Sequence, residues 1–367
     1  MLHSPSNRKA REKAVDDFVN PDARKISWSR DIKQKLVRGT ILTFENDSLI
    51  QSLYRPFTRQ WLYYNRALNE RIYQMPFIFP MEAVVENRVI QVTGTGVRGD
   101  FSVLMTKDLP NYDVIASGQC FPRYVYENTT SCAQEIKTDG LQRRDAITNE
   151  GLAYFKEAYP NETITKDDLF FYVYGVLHSE DYRARYAHNL SKQLPRIPTA
   201  KKVEDFWAFV EAGRKLGDLH TNYEEVEPYP VIYKQGDPST WVIADEVNFY
   251  RVEKMKFGGK RGATDKSIVI YNTQITMHNI PLEAYDYIVN GRSALEWVMD
   301  RQIVKTDKPS GIVNDANRYA VETVGNPAYP LELFQRVITV SLETMKIVRN
   351  LPKLEIREIE DTQKTVH

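Results

Sequence analysis

The chain has 367 residues, 42% hydrophobic and 27% charged, enough for one large domain or two or three structural units and too apolar for bulk disorder. Lys plus Arg and Asp plus Glu number 49 each, and a formal net charge of zero argues against a globally basic, histone-like binder while leaving room for one basic face. No apolar run approaches the ~18 residues of a membrane span, MLHSPSNRKAREKAVDDF lacks the apolar centre of a secretory signal, and Cys120 and Cys132 form neither a disulfide framework nor a zinc pattern, so a reducing cytoplasm is the expected compartment.

In chain order, residues 1–25 are charged and read as a loose extension or a short helix. Ile26–Leu36 reads as a helix opening near Ser29, a residue suited to capping free N–H groups. Pro56 makes Tyr54–Phe57 extended or turning. Val85–Thr95 and Phe101–Thr106 alternate polar and β-branched residues and read as strands; Val114–Ala116 and Tyr124–Tyr126 add short ones, so the first 135 residues look β-rich. Lys137–Glu150 is ambiguous, and Gly151–Ala158 reads as a short helix. Thr165, with Asp168 three residues on, makes a capping-box pattern for a helix to His178. Ser179 caps another over Glu180–Leu190, and Pro195 and Pro198 force an extended exit.

Lys202–Leu216 reads as a helix packing through Phe206, Trp207, Phe209, Val210 and Leu216. Strand-like runs return at Val231–Tyr233, Thr240–Ile243, Val247–Val252 and Ser267–Tyr271. Leu282–Val289, Leu295–Asp300 and Pro330–Leu351 read as helices before a polar tail. The expected fold class is α+β (mixed α/β). Its N-terminal part is β-rich with helical segments, a second strand-rich part carries a basic hairpin, and the C-terminus is helical.

Two motifs suggest chemistry and lack its context. GTGVRG at 94–99 has dinucleotide-loop glycine spacing, but those glycines need a strand turning into a helix, and DFSVLMT after it is strand-like; a tight hairpin is expected. NPAY at 326–329 resembles the NPPY loop of amino-methyltransferases, with Ala328 in place of the second proline and a helix following, so a helix-entry turn is expected. His178 and His188 would lie roughly 15 Å apart along one helix, too far to share an ion. His220 and His278 have no nearby ligand spacing.

A basic stretch is more informative. RVEKMKFGGKRGATDK at 251–266 places strand-like runs around Gly258 and Gly259, so a hairpin would project Lys256, Lys260 and Arg261 from a glycine tip, where cations can neutralise phosphates. Arg183, Arg185, Lys192 and Arg196 form a second cluster. Phe170, Tyr174 and Leu177, then Tyr182, Tyr186 and Leu190, recur at helical spacing and read as core or helix contact rather than as a base-stacking platform.

Six segments in one order carry a family likeness: YRPFTRQWLYYN (54–65), QCFPRYVY (119–126), FYVYGVLHSEDYR (171–183), LPRIP (194–198), VNGRSALEWVMDR (289–301) and SGIVNDAN (310–317). Over roughly residues 25–350 the chain resembles the C-terminal specificity region of single-chain, ATP-dependent restriction–modification enzymes, the type I-like ISP group. In that group one polypeptide links a nuclease, a helicase-like ATPase, an adenine methyltransferase and a target recognition domain.

The resemblance covers the last of these. It implies recognition of double-stranded DNA, with the target adenine positioned for an upstream methyltransferase domain or companion protein. It implies no membrane partner, no chemistry in this chain and no cofactor for it; ATP, Mg2+ and S-adenosylmethionine belong to the family's other domains. The expected organisation is a charged extension (1–25), a recognition region (26–352, with possible subdivisions 26–160, 161–224 and 225–352) and a polar tail (353–367). The candidate DNA contacts are Lys256, Lys260 and Arg261, then Lys254, Arg55, Arg59, Arg123, Arg183 and Arg196. Arg55 and Arg123 suit scaffold ion pairs equally well. Asn314, Asp315 and Asn317 suit a polar turn or a contact loop. Two further readings stay open: a structural protein-interaction module resting on the tyrosine stripe, and a methyltransferase or nuclease fragment with dispersed catalytic residues.

Overall fold

The computed structural model describes residues 7–22, 24–81, 85–97, 99–128, 137–138, 141–260 and 262–357. Side-chain caps set several helix starts. Ser29 Oγ accepts from the Ile32 N–H at 3.2 Å and opens Arg30–Val37. Thr165 and Asp168 bond reciprocally, at 3.1 and 2.9 Å, and open Lys166–His178. Ser179 opens Glu180–Arg185, but the helix breaks at Tyr186 before resuming as Ala187–Leu190. The bend lets the buried Tyr182 hydroxyl donate to the returning Arg196 carbonyl at 2.9 Å.

Two helices form the spine of the N-terminal core. Lys166–His178 is apolar nearly all round and correspondingly buried. It packs on Val203–Thr221, which runs five residues past the expected end at Leu216. Facing glycines bring the two backbones together: a Cβ on Gly175 would drive into the Phe209 carbonyl oxygen, and one on Gly213 into that of Phe171. The tyrosines of the stripe lie in this core. Tyr172 hydroxyl donates to Pro198 O at 2.8 Å and accepts from Ala200 N at 3.1 Å, securing the extended proline segment. An antiparallel sheet of Val103–Thr106, Val89–Val92 and Gln119–Pro122 supplies Ile90, Val92, Val103 and Met105 to the same core.

The second core is C-terminal. Tyr329–Arg349, with Pro330 in its first turn, buries Leu333, Phe334, Val337 and Ile338. Against it lie Ala294–Arg301 and a four-stranded sheet, ordered Ile232–Tyr233, Thr276–His278, Ala263–Ile270, Lys256–Lys260. The fold is thus mixed α/β: β-rich first, helical in the middle, strand-rich again, then helical.

Four expected elements differ. Val114–Ala116 is a turn whose Val114 and Ile115 are fully buried, so hydrophobicity there marks packing rather than a strand. Thr240–Ile243 begins on the last residue of a 3-10 turn, Pro238–Thr240, and Val247–Val252 opens inside a short helix, Glu246–Phe249. Asp237 and Asp245 accept from the Ser239 and Asn248 N–H groups at 2.8 and 3.1 Å, local bonds that compete with strand pairing. Leu282–Val289 divides into a 3-10 turn, Leu282–Tyr285, and a strand, Ile288–Val289, which pairs with Arg292–Ser293 across Asn290–Gly291 at φ 49° and 76°. Asn-Gly is the favoured two-residue hairpin turn.

The two tempting motifs are turns. Residues 94–97 and 99 lie in the connection between antiparallel strands Val89–Val92 and Val103–Thr106, with no helix after it; Arg98 lies outside the described residues. Asn326 Oδ1 accepts from Ala328 N at 2.9 Å, and the Tyr329 hydroxyl donates to Glu224 at 2.6 Å inside the fold.

Candidate nucleic-acid interface

The basic hairpin forms from Lys256–Lys260 and Ala263–Ile270, with Lys260 opposite Ala263. Gly262, just before the second strand, has φ +87°; Arg261 lies outside the described residues. Between Phe257 and Gly258 the register jumps from Val269 to Asp265, a bulge that bends and twists the hairpin. Gly258 fits there because a Cβ would lie 2.6 Å from that of Ile268.

The root of the hairpin is tied down. Lys266 Nζ pairs with Glu296 at 3.1 Å and lies over the Phe257 and Tyr285 rings at 5.5 and 5.2 Å. Lys254, Lys256 and Lys260 are exposed, with no hydrogen bond or ion pair to their side chains among the described residues.

The candidate arginines mostly have other work. Arg59 Nε donates to Asp108 at 2.7 Å, its guanidinium also pairs with Glu224 and lies over Tyr223, and its side chain is 14% exposed. Burial opposes its charge, but Tyr223, Asp108 and Glu224 outweigh burial and raise its pKa. Arg55 donates to Tyr54 O and Asn111 Oδ1 at 2.7 and 3.0 Å. Arg123 pairs with Asp167, which also holds Arg214 at 2.6 Å, and both guanidinium groups lie against the Phe171 ring. Arg183 Nε donates to the Leu177 carbonyl at 2.7 Å at a helix end, and burial lowers its pKa. The arginines of this segment are therefore not all available for contact. Arg196 is exposed, with no partner for its guanidinium among the described residues.

The three polar residues of SGIVNDAN take different roles. Asp315 Oδ1 caps a short helix through Asn317 N at 2.9 Å, and its Oδ2 meets Arg251 at 3.2 Å. Asn317 is buried and bonds both the N–H and the carbonyl of Val252, at 2.8 and 2.9 Å. Asn314 is exposed, with no side-chain hydrogen bond among the described residues.

A buried histidine pair lies between the two cores. His220 Nδ1 bonds the Tyr174 hydroxyl at 2.6 Å, His220 Nε2 bonds Thr344 at 2.8 Å, and the His178 ring is 5.6 Å away. Burial pushes His220 down to about 3; burial, then Arg183 and His220, hold His178 well below the usual range. Both are neutral packing groups at neutral pH. No group of three or more His, Cys, Asp or Glu side chains able to hold a metal is found among the described residues, nor is any described helix long and apolar enough to cross a membrane.

Comparison with known proteins places this geometry. Residues 1–333 match the family model of the Type ISP C-terminal specificity domain. Among solved structures, the fold matches a nuclease-deletion mutant of the Type ISP restriction–modification enzyme LlaGI in complex with a DNA substrate mimic, at 40% identity and TM-score 0.76, over 95% of this chain and 29% of that one. It matches the ATP-dependent Type ISP restriction–modification enzyme LlaBIII bound to DNA at 33% identity and TM-score 0.79, over 95% and 22%. It also matches the cryo-EM structure of a DrdV–DNA complex at 31% identity and TM-score 0.75, over 95% and 33%. The chain thus spans a third or less of each of these chains. No curated protein sequence matched it.

Proposed function

Because the chain belongs to the Type ISP C-terminal specificity domain family, we propose that it reads the sequence of duplex DNA, performs no covalent chemistry, and presents the target adenine to an adjoining methyltransferase segment. The observation that carries this reading is the basic hairpin, Lys256–Lys260 with Ala263–Ile270. Lys256 and Lys260 on its first strand, and Lys254 just before it, are exposed and lack protein partners among the described residues, while nearby Lys266 and Arg251 are ion-paired. The DNA-bound state of the LlaGI, LlaBIII and DrdV structures supports it.

On this reading the labour divides by chemistry. Lysines on the hairpin meet phosphates and fix register, a sequence-independent attraction that weakens with salt. Discrimination comes from carboxamides or guanidinium groups that reach base edges. Arg261, next in sequence to Lys260, is the proposed guanidinium of this kind, with Arg196 as an outlying phosphate contact. Arg55, Arg59, Arg123 and Arg183 brace the scaffold that aims these groups. S-adenosylmethionine, ATP and Mg2+ would serve adjoining domains.

The test is a salt series. The affinity of the chain for a fixed duplex is measured with and without the Lys256→Gln/Lys260→Gln pair. Each lost phosphate contact lowers the slope of log K against log salt by about 0.9, so the double variant should lose roughly 1.8 and weaken unrelated duplexes alike. An unchanged slope would remove the hairpin from the interface.

A further inference from the structure

We propose that a second hairpin, Val304–Thr306 with Val313–Asp315, is also a DNA-reading element, Asn314 meeting a base edge and Lys305 a phosphate. This rests on the reading of the chain as a DNA-recognition domain and extends it to residues outside the basic hairpin.

The register puts Lys305 directly opposite Asn314, so the two side chains project from one face. Both are exposed, and neither side chain has a hydrogen bond or ion pair among the described residues. The neighbouring polar groups are committed: Asp315 to a helix cap and Arg251, Asn317 to the Val252 backbone. Asn314 is thus the one polar side chain of the Asn314–Asp315–Asn317 set left facing outward.

The hairpin is rigid at both ends. At its base, Val304 N donates to Glu253 O at 3.0 Å and Ala316 N to Ile303 O at 3.2 Å. At its tip, Asp307 Oδ1 accepts from the Ser310 amide and hydroxyl at 2.9 and 2.6 Å, and Asp307 N donates to Ile312 O at 2.8 Å. Those Ser310 bonds, and secondarily the Lys305 charge, favour the Asp307 carboxylate. Polar groups held in place before contact lose little freedom on binding.

The setting suits a nucleic acid. The bond to Glu253 sets this hairpin beside the stretch carrying the exposed Lys254 and Lys256. Asn314 borders a cleft of about 340 Å3, lined also by Gln60, Trp61 and Arg318. Trp61 is 54% exposed, and its Nε1 is held by Thr323 at 3.0 Å. A two-stranded ribbon fits the major groove, and a carboxamide offers a donor and an acceptor matched to the edge of adenine.

The experiment compares the unmodified chain, Asn314→Ala and Lys305→Gln by selection from a randomised duplex pool and by a salt series. For Asn314→Ala we expect preference at one or two adjacent base pairs to fall by roughly 5- to 100-fold, with affinity for unrelated duplexes retained. For Lys305→Gln we expect weaker binding to all duplexes and a salt slope reduced by about 0.9. If the unmodified chain selects a motif and both variants keep its profile and slope, the inference falls and the DNA reading stands. If the unmodified chain selects no motif, that reading falls, and this inference with it.

Discussion

Arg59 separates bracing from contact most sharply, because it lies in a family-like segment and is a candidate DNA contact by sequence. Its guanidinium joins Asp108, Glu224 and the Tyr223 ring, and Glu224 in turn accepts from Tyr329 at the start of the long C-terminal helix. Arg59→Met would leave two carboxylates facing each other in a site where the arginine side chain is 14% exposed. Removing one partner of such a buried network costs about 3–5 kcal/mol. At about 1.3 °C per kcal/mol for a chain of 367 residues, the melting temperature should fall by roughly 4–7 °C. Calorimetry reads that shift, and duplex affinity is measured well below the transition. Affinity should change by less than about twofold, because the guanidinium is held by Asp108, Glu224 and the Tyr223 ring and is not presented to a ligand. A melting temperature equal to that of the unmodified chain with affinity reduced tenfold would refute this reasoning and make Arg59 a DNA contact.

Glycine substitutions should act with opposite signs at two positions: Gly213→Ala forces the two spine helices apart and should cost about 1–3 kcal/mol, whereas Gly151→Ala, whose added methyl meets Thr148 Oγ1 at 3.5 Å, should stabilise by about 0.5–1 kcal/mol, both read from urea midpoints. The buried histidines make stability pH-dependent. Their folded pKa values are depressed, so the unfolded chain binds more protons as pH falls below its ordinary histidine value, and stability should drop by about 2–3 kcal/mol between pH 7.5 and 5.5; equal urea midpoints at the two pH values would contradict this. Asn317→Ala leaves the Val252 N–H and carbonyl unpaired in the core and should cost about 1–3 kcal/mol, measurable as a lower melting temperature, while Asn314→Ala should leave that temperature unchanged.

Much of the fold was legible where the determinant is local. Ser29, Thr165 with Asp168, and Ser179 cap the helices their hydroxyls announced, and the glycines at 258–259 lie in the hairpin read there. Local bonds also explain the failures. Asp237 and Asp245 turn β-branched runs into short helical turns, and Asn290–Gly291 is a hairpin signal hidden by the apolar residues before it. The candidate site was less legible because pairing is not local. Arg59 meets partners 49 and 165 residues away, and Arg123 meets one in a different layer of the fold. Composition cannot distinguish such an arginine from a free one. Lys305 was missed for the same reason: its exposure follows from the register with Asn314, although DKPSG at 307–311 does mark a turn.

The central claim is that this chain selects a DNA sequence. Its most direct test is enrichment from a randomised duplex pool at fixed salt, by the chain alone and joined to an upstream methyltransferase segment. The account predicts that one motif is enriched, and that the Lys256→Gln/Lys260→Gln variant recovers the same motif with weaker binding. A folded protein that enriches no motif in either form would contradict it.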